Sequence, residues 1–214
     1  MEKSMYDLRN DKLGPLVVKA LEARYFEAWY VNDIPEATEK VFSLIPRDHV
    51  IAWGGSATAK ALDLYSQAAE RGYRLINRDA AKSPEEKVDL MRQALLCDTF
   101  LMGTNALSED GQLVNIDGNG NRVAALCYGP KQVIVVTGIN KVVKTLDDAV
   151  SRARHLAAPL NIQRFPAVKT PCNINGACGD CKSRDSICAQ FVITRICKPA
   201  GRIKVILIGK DLGF

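Results

Sequence analysis

The sequence predicts an α/β protein: a mostly parallel sheet flanked by helices, with one β-hairpin inserted into it. Three observations carry that expectation. Between residues 49 and 103, short apolar β-type runs alternate with helical stretches, and such a succession calls for parallel strands joined by crossover helices. The runs KQVIVVTG and GRIKVILIG are apolar almost throughout, as a strand covered on both faces must be. Between the alternating part and the first of those runs, LVNI and RVAALCY flank the turn-forming DGNGN, which reads as a hairpin.

Taken in order, the first fifty residues read as two helices. The second opens at Asp33 as N-cap, carries Pro35 in its first turn and repeats Ala37, Val41 and Leu44 before Pro46 stops it. HVIAW (49–53) is a strand, followed at once by GGSATAKALDLYSQAAERG, a glycine turn and a helix that ends at Gly72. YRLIN (73–77) is the second strand. SPEEKVDLMRQALL then opens with Ser83 as cap, Pro84 at the first helical position and Glu86 at the third. CDTFLMG is the third strand. Later, TLDDAVSRARHLAAPL sets Leu146, Ala149, Val150, Ala153, Leu156, Ala157 and Leu160 on one helical face. Residues 1–214 read as one domain, with 166–200 a cysteine-rich loop between the last helix and the last strand.

A chain of 214 residues buries a core without staples, so its seven cysteines are not needed to hold it together. Apolar content of 47% and charged content of 25% suit an ordinary globular protein. No apolar run nears the roughly 18 residues of a membrane span, and MEKSMYDLRNDK lacks the apolar centre of a secretion signal. The expected location is the cytoplasm, where clustered thiols serve metal or redox chemistry more than disulfides. The net charge of +5 is uneven: from Arg164 onward nine Lys/Arg face three Asp. The excess travels with the cysteines, which suits an anionic partner or the compensation of metal-bound thiolates. Stacking aromatics are not interleaved with these bases, which argues against nucleic acid.

Three places could carry chemistry. In GGSAT, the backbone of Gly54, Gly55 and Ser56, with Thr58 beside it, could cradle an anion between a strand and a helix. The competing reading is a tight turn with Ser56 as helix cap, since the loop lacks a Walker ending. Second, Asn105, Arg122, Asn140 and Lys141 fall at the ends of apolar strands, where open parallel sheets bind ligands. A small anionic metabolite is the ligand they suit. An enzyme of this kind would draw its base from Glu109, Asp110 or Asp117, because His49 and His155 read as solvent-facing. Third, Cys172, Cys178, Cys181 and Cys188 form C-x5-C-x2-C-x6-C, with Cys197 beyond. Four thiolates satisfy zinc or an iron–sulfur cluster, and Lys182 and Arg184 would offset their charge. Free thiols, or a redox pair of Cys178 and Cys181, are the competing readings. Cys97 and Cys127 sit in apolar runs and read as core.

The stretch GTNALSEDGQLVNIDGNGNRVAALCYGPKQVIVVTGINKVV, with GGSAT upstream, resembles the LUD (lactate-utilisation) domain family over residues 10 to 210. The resemblance implies a fold like that of glucosamine-6-phosphate deaminase, ribose-5-phosphate isomerase and CoA transferases. It also implies an association with oxidation of L-lactate to pyruvate beside iron–sulfur subunits, and hence a redox partner protein. It transfers no catalytic residue. On this ground an iron–sulfur cluster stands ahead of zinc. The alternatives are an isomerase- or CoA-transferase-like enzyme with structural zinc, or a non-catalytic regulatory subunit; a homo-oligomer is left open.

Overall fold

The computed structural model describes residues 3–214. Ten strands form two sheets. Strands β1 (Glu27–Val31), β2 (Val50–Trp53), β3 (Arg74–Ile76), β4 (Thr99–Met102), β7 (Gln132–Gly138) and β10 (Ile203–Ile208) make a six-stranded parallel sheet in the order β1-β10-β7-β4-β2-β3. Strands β5 (Ala106–Ser108), β6 (Leu113–Asp117), β8 (Val142–Val143) and β9 (Gln190–Thr194) make a smaller mixed sheet in the order β8-β5-β6-β9.

The large sheet is buried on both faces because its strands alternate between two cores. Ala52, Phe100, Met102, Val133, Val135, Val205 and Leu207 face one core, where Val17 and Leu21 of helix α1 (Met5–Glu22) pack. Ile51, Trp53, Leu101, Ile134, Val136, Ile206 and Ile208 face the other, against Ala37, Val41 and Phe42 of α2 (Ile34–Ser43). Two short helices, α3 (Ala57–Ala61) and α4 (Leu64–Glu70), close that second face. Helix caps follow the sequence signals: Asp33 accepts from the Glu36 N–H and Ser83 from the Glu86 N–H, opening α5 (Pro84–Gln93).

Several expectations change. The first fifty residues hold a strand, β1, between their two helices. The predicted helix after GGSAT is broken at Asp63, which takes a left-handed backbone conformation (φ 49°) and separates α3 from α4. RVAALCY is not a strand: Asn121–Cys127 is helix α6, started by Gly120 at φ 83°. Its alanines suit a helix, and Val123, Ala125 and Leu126 are buried. The hairpin exists, but it is β5 with β6, joined through Gly111 at φ 89°. Cys127, at the exposed end of α6, is therefore not core, whereas Cys97 is buried and its thiol is pushed up to about 12 by that burial.

The helix after β8 runs as α7 (Leu146–Arg152), a wide π turn over Ala153–Ala157, and α8 (Ala158–Ile162). Ala149 and Ala153 pack on the small sheet, while Leu156 and Leu160, expected on the apolar face, are exposed. The widened turn shifts the register of that face. Residues 166–200 are not a plain loop: they contain the single-turn helix α9 (Pro171–Asn175) and β9, which pairs antiparallel with β6. Among the described residues, no helix is long and apolar enough to cross a membrane.

Candidate functional site

Strand order reverses at β2 and β4: the connection from β2 leads outward to β3, and the next returns to β4 on the other side of β2. Ligands of open α/β sheets bind outside the carboxyl ends of the strands at such a point. Here a cavity of about 740 Å³ opens there. Gly55–Ala57 follow β2, Arg78 follows β3, Gly103–Asn105 follow β4 and Lys141 follows β7, and all line it. The cysteine-rich segment forms the opposite wall through residues 181–189. Six basic side chains (Arg78, Arg122, Lys141, Arg164, Lys182, Arg184) face two aspartates, Asp117 and Asp185. The surplus of positive charge is what an anion would meet.

Arg122 was expected to meet an anion directly, but its donors are engaged within the protein. One terminal nitrogen donates to the Gly103 carbonyl (3.1 Å) and Asn115 Oδ1 (2.6 Å). The other donates to Asn105 Oδ1 (3.0 Å) and the Ile116 carbonyl (2.7 Å). Nε lies 3.6 Å from Asp117 Oδ2. A guanidinium has five N–H bonds; the four on its terminal nitrogens are spent on hydrogen bonds, and Nε keeps only the ion-pair contact. Burial lowers its pKa, with Asp117 opposing. The residue ties β4, β6 and α6 together, and its charge reaches the cavity as a field. Gly54 serves the same residue, since a Cβ there would stand 2.7 Å from Arg122 Cγ. Gly54 is buried packing, and Asn105 lines the cavity while holding Arg122.

The GGSAT loop is a turn and a cap. Ser56 Oγ accepts from the Ala59 N–H (3.1 Å) and thereby starts α3. Gly103 allows the β4 end to pass it, because a Cβ would lie 2.6 Å from Ser56 Oγ. Gly55 is exposed at the cavity edge. Thr58 and Asn140 stand behind the lining. Thr58 Oγ1 donates to the Leu212 carbonyl, and Asn140 Oδ1 accepts from the Leu212 N–H; both pin the segment after β10.

Lys141 differs from Arg122. Its side chain is 4% exposed, and Nζ donates to Thr58 Oγ1 (3.0 Å) and the Thr104 carbonyl (3.1 Å). Among the described residues no carboxylate pairs with it. Burial pushes its pKa down to about 7, with Arg152 and Arg122 adding repulsion.

Arg78 was not singled out by the sequence reading. It follows β3 in a 3₁₀ turn, its terminal nitrogen would lie 3.2 Å from a Cβ at Gly55, and its Nε is buried without a hydrogen-bond partner. Its ion pair with Asp79 is long, at 3.6 Å. Arg78 is thus a largely buried guanidinium at the cavity with unspent donor capacity. The sequence signal for it was a basic residue directly after a strand of the α/β alternation.

Of the three carboxylates considered as bases, Asp117 alone lines the cavity. Glu109 pairs with Lys144 (2.6 Å) and Asp110 with Arg24 (2.5 Å). His155 is exposed as expected, but His49 is half-buried with Nδ1 2.9 Å from Thr99 Oγ1.

Behind the basic cavity lies a second one of about 50 Å³, lined by Cys172, Cys178, Cys181 and Cys188 together. Burial, then the three neighbouring thiols, push the Cys188 thiol up to about 11. Arg154, from the π turn, pairs with Asp180, and the Asp180 carboxylate and then the Cys178 thiol hold its pKa above the ordinary arginine value. Thr170 Oγ1 lies 3.4 Å from Cys172 Sγ. Among the described residues, no three His, Cys, Asp or Glu side chains converge on one point as a single ion requires. The four cysteines line a shared space instead. Cys197 is buried elsewhere, bonded to the Pro199 carbonyl and the Ile203 N–H. Cys181, Ser186, Ile187 and Cys188 line both cavities.

Fold and site together define an α/β protein with a basic cavity at the carboxyl edge of its parallel sheet. The LUD domain model matches residues 15–208, and the chain belongs to that family. A duf162 family protein from Deinococcus radiodurans is similar in structure, with TM-score 0.53 and 13% identity, covering 93% of this chain and 98% of that one. Ribose 5 phosphate isomerase A from Neisseria gonorrhoeae matches more distantly (TM-score 0.33, 15% identity, 53% of this chain and 54% of that one). So does eIF2B beta from Chaetomium thermophilum (TM-score 0.35, 18% identity, 54% and 44%). No curated protein matches the chain in sequence.

Proposed function

We propose that this LUD-family protein binds a small anionic metabolite in the basic cavity and holds a redox-active iron–sulfur cluster in the adjoining cysteine cavity. The observation that carries the reading is the shared wall: Cys181 and Cys188 line both spaces. Tetrahedral zinc needs four sulfurs at about 2.3 Å from one point, whereas a cluster distributes its cysteines over several irons. Four cysteines that line one cavity without converging on a single point favour the cluster. Bound there, it would supply one-electron capacity beside the metabolite.

The chain's own residues would do the rest. Arg78, Arg164, Lys182 and Arg184 bring donors and positive charge to the acid group of the ligand, and Arg122 adds its field from below. Arg154 offsets thiolate charge near Cys178. The family's association with lactate oxidation makes a small hydroxy or oxo carboxylate the metabolite to try first, with a separate redox partner protein taking or giving electrons. All seven cysteines are free thiols, which suits a reducing cytoplasm.

The test is elemental analysis with a visible spectrum on protein purified without oxygen or chelator, followed by titration with pyruvate, lactate and inorganic phosphate. Iron with matching sulfide, a brown colour, and anion affinity that falls with salt are expected. One zinc without colour would overturn the cluster and make the cysteines structural. Protein free of both metals would overturn the metal reading altogether.

A further inference from the structure

We propose that Lys141 forms an imine with the carbonyl carbon of a small anionic oxo compound held in the basic cavity, so that the site is catalytic and not only a binding site. The inference rests on the anion-cavity reading above and adds a residue role and a substrate class to it.

The geometry around Nζ fits a neutral amine. Thr58 Oγ1 donates to the Leu212 carbonyl at 3.2 Å, so toward Lys141 it is an acceptor. The Thr104 carbonyl is an acceptor by nature. A neutral amine has two N–H bonds and one lone pair; the two acceptors take the two N–H bonds and leave the lone pair unspent. An ammonium ion would carry a third N–H, for which the described residues offer no further hydrogen bond. The charges that act on the amine, those of Arg152 and Arg122, are both positive, and Asp117 is committed to Arg122 at 3.6 Å and to the N–H groups of Gly120 and Val123. Desolvation beside cations is the established way to make a lysine nucleophilic near neutrality, and a value of about 7 agrees with it.

Position completes the case. Lys141 lines the cavity in the turn after β7. Arg78, Arg164, Lys182 and Arg184 line the same cavity and supply cations for an acid group. A ligand that engages both kinds of residue carries an acid group and a carbonyl. The nitrogen attacks the carbonyl carbon, a C–N bond forms, and the carbonyl oxygen leaves as water with the two hydrogens of the amine. The product is the imine, which cyanoborohydride converts to a stable secondary amine by giving hydride to carbon while solvent gives a proton to nitrogen.

The experiment incubates the full chain with pyruvate or with glyceraldehyde 3-phosphate, adds sodium cyanoborohydride, and maps the modified peptide by mass spectrometry. One reduced adduct on Lys141 is expected. At pH 8 it should exceed that on any exposed lysine by on the order of a hundredfold, the ratio of neutral-amine fractions. Excess inorganic phosphate should suppress it. An adduct with pyruvate alone identifies a carboxylate ligand, and one with glyceraldehyde 3-phosphate alone a phosphorylated one; either supports the proposal. Lys141→Arg, which has no amine that can form an imine, should lose the adduct; the wild-type map stands even where that variant fails to fold. Adducts spread evenly over surface lysines, with phosphate still bound, would overturn the imine and leave the anion cavity standing. Failure of phosphate and both oxo compounds to bind would overturn both.

Discussion

The floor and the roof of the basic cavity are built in opposite ways. The floor is made by strand ends: Arg122 spends both terminal nitrogens on fixed acceptors from β4, β6 and their neighbours, and Lys141 donates to Thr58 and the Thr104 carbonyl. The roof, residues 166–189, contains one single-turn helix and is tied down by a few side-chain bonds. These include Arg154 to Asp180, Gln163 Nε2 to the Cys172 carbonyl (3.0 Å) and Asn173 Nδ2 to the Val168 carbonyl (2.7 Å). Most of the floor's polar groups satisfy one another, Asn115 Nδ2 and Arg78 Nε excepted, so it keeps its shape without ligand. Among the described residues, Cys172 alone of the roof's four clustered thiols has a side-chain partner at hydrogen-bond distance, the Thr170 hydroxyl at 3.4 Å.

Substitutions should reproduce this contrast. The largest effect belongs to Arg122→Met. It strands Asp117, Asn105 and Asn115 in a buried network, and removing one member of such a network costs about 3–5 kcal/mol. A fall in melting midpoint of about 10 °C is expected for a chain of this size, and a fall no larger than that of a roof substitution would break the comparison.

Lys141→Met should change how stability depends on pH. With its folded value lowered from 10.5 to about 7, the unfolded chain holds the extra proton between those values. Stability therefore rises with pH across that window. The contribution is at most about 1.4 kcal/mol per pH unit. Denaturant unfolding at several pH values should show this slope in the wild type and its loss in the variant; identical slopes would mean the amine is protonated when folded.

The smallest effect on stability is expected from the roof. Lys182→Ser with Arg184→Ser alters two exposed side chains, and such changes fall within about 0.5 kcal/mol. The same pair should weaken phosphate binding and flatten its salt dependence, because two charges leave the cavity wall. Unchanged affinity by calorimetry would place the ligand wholly on the floor.

Much of the floor was legible in the sequence. The succession HVIAW, GGSAT, YRLIN, SPEEKV and CDTFLMG maps onto β2, α3, β3, α5 and β4, since caps and apolar runs act locally. Lys141 was readable as a polar residue after a buried strand. Less legible was what depends on packing at a distance. RVAALCY looks strand-like by its Val, Leu and Tyr, and only the docking of Val123, Ala125 and Leu126 reveals α6. Arg122 looks like a ligand-binding cation until its four acceptors, drawn from residues 103 to 116, and the Asp117 carboxylate are brought together. β1 hides between two helices because its pairing partner is β10. The roof's thiols announced their proximity by spacing, but not that Cys181 and Cys188 would face a second cavity.

The place of β10 has a consequence for how the protein is made. It lies between β1 and β7, and β1 has no other neighbour in the sheet. On the ribosome β1 emerges early, yet the strand that completes it is translated after all four clustered cysteines. The edges of β1 and β7 that β10 joins therefore stay unpaired until the whole cysteine-rich segment has been translated, so the sheet closes last at its middle.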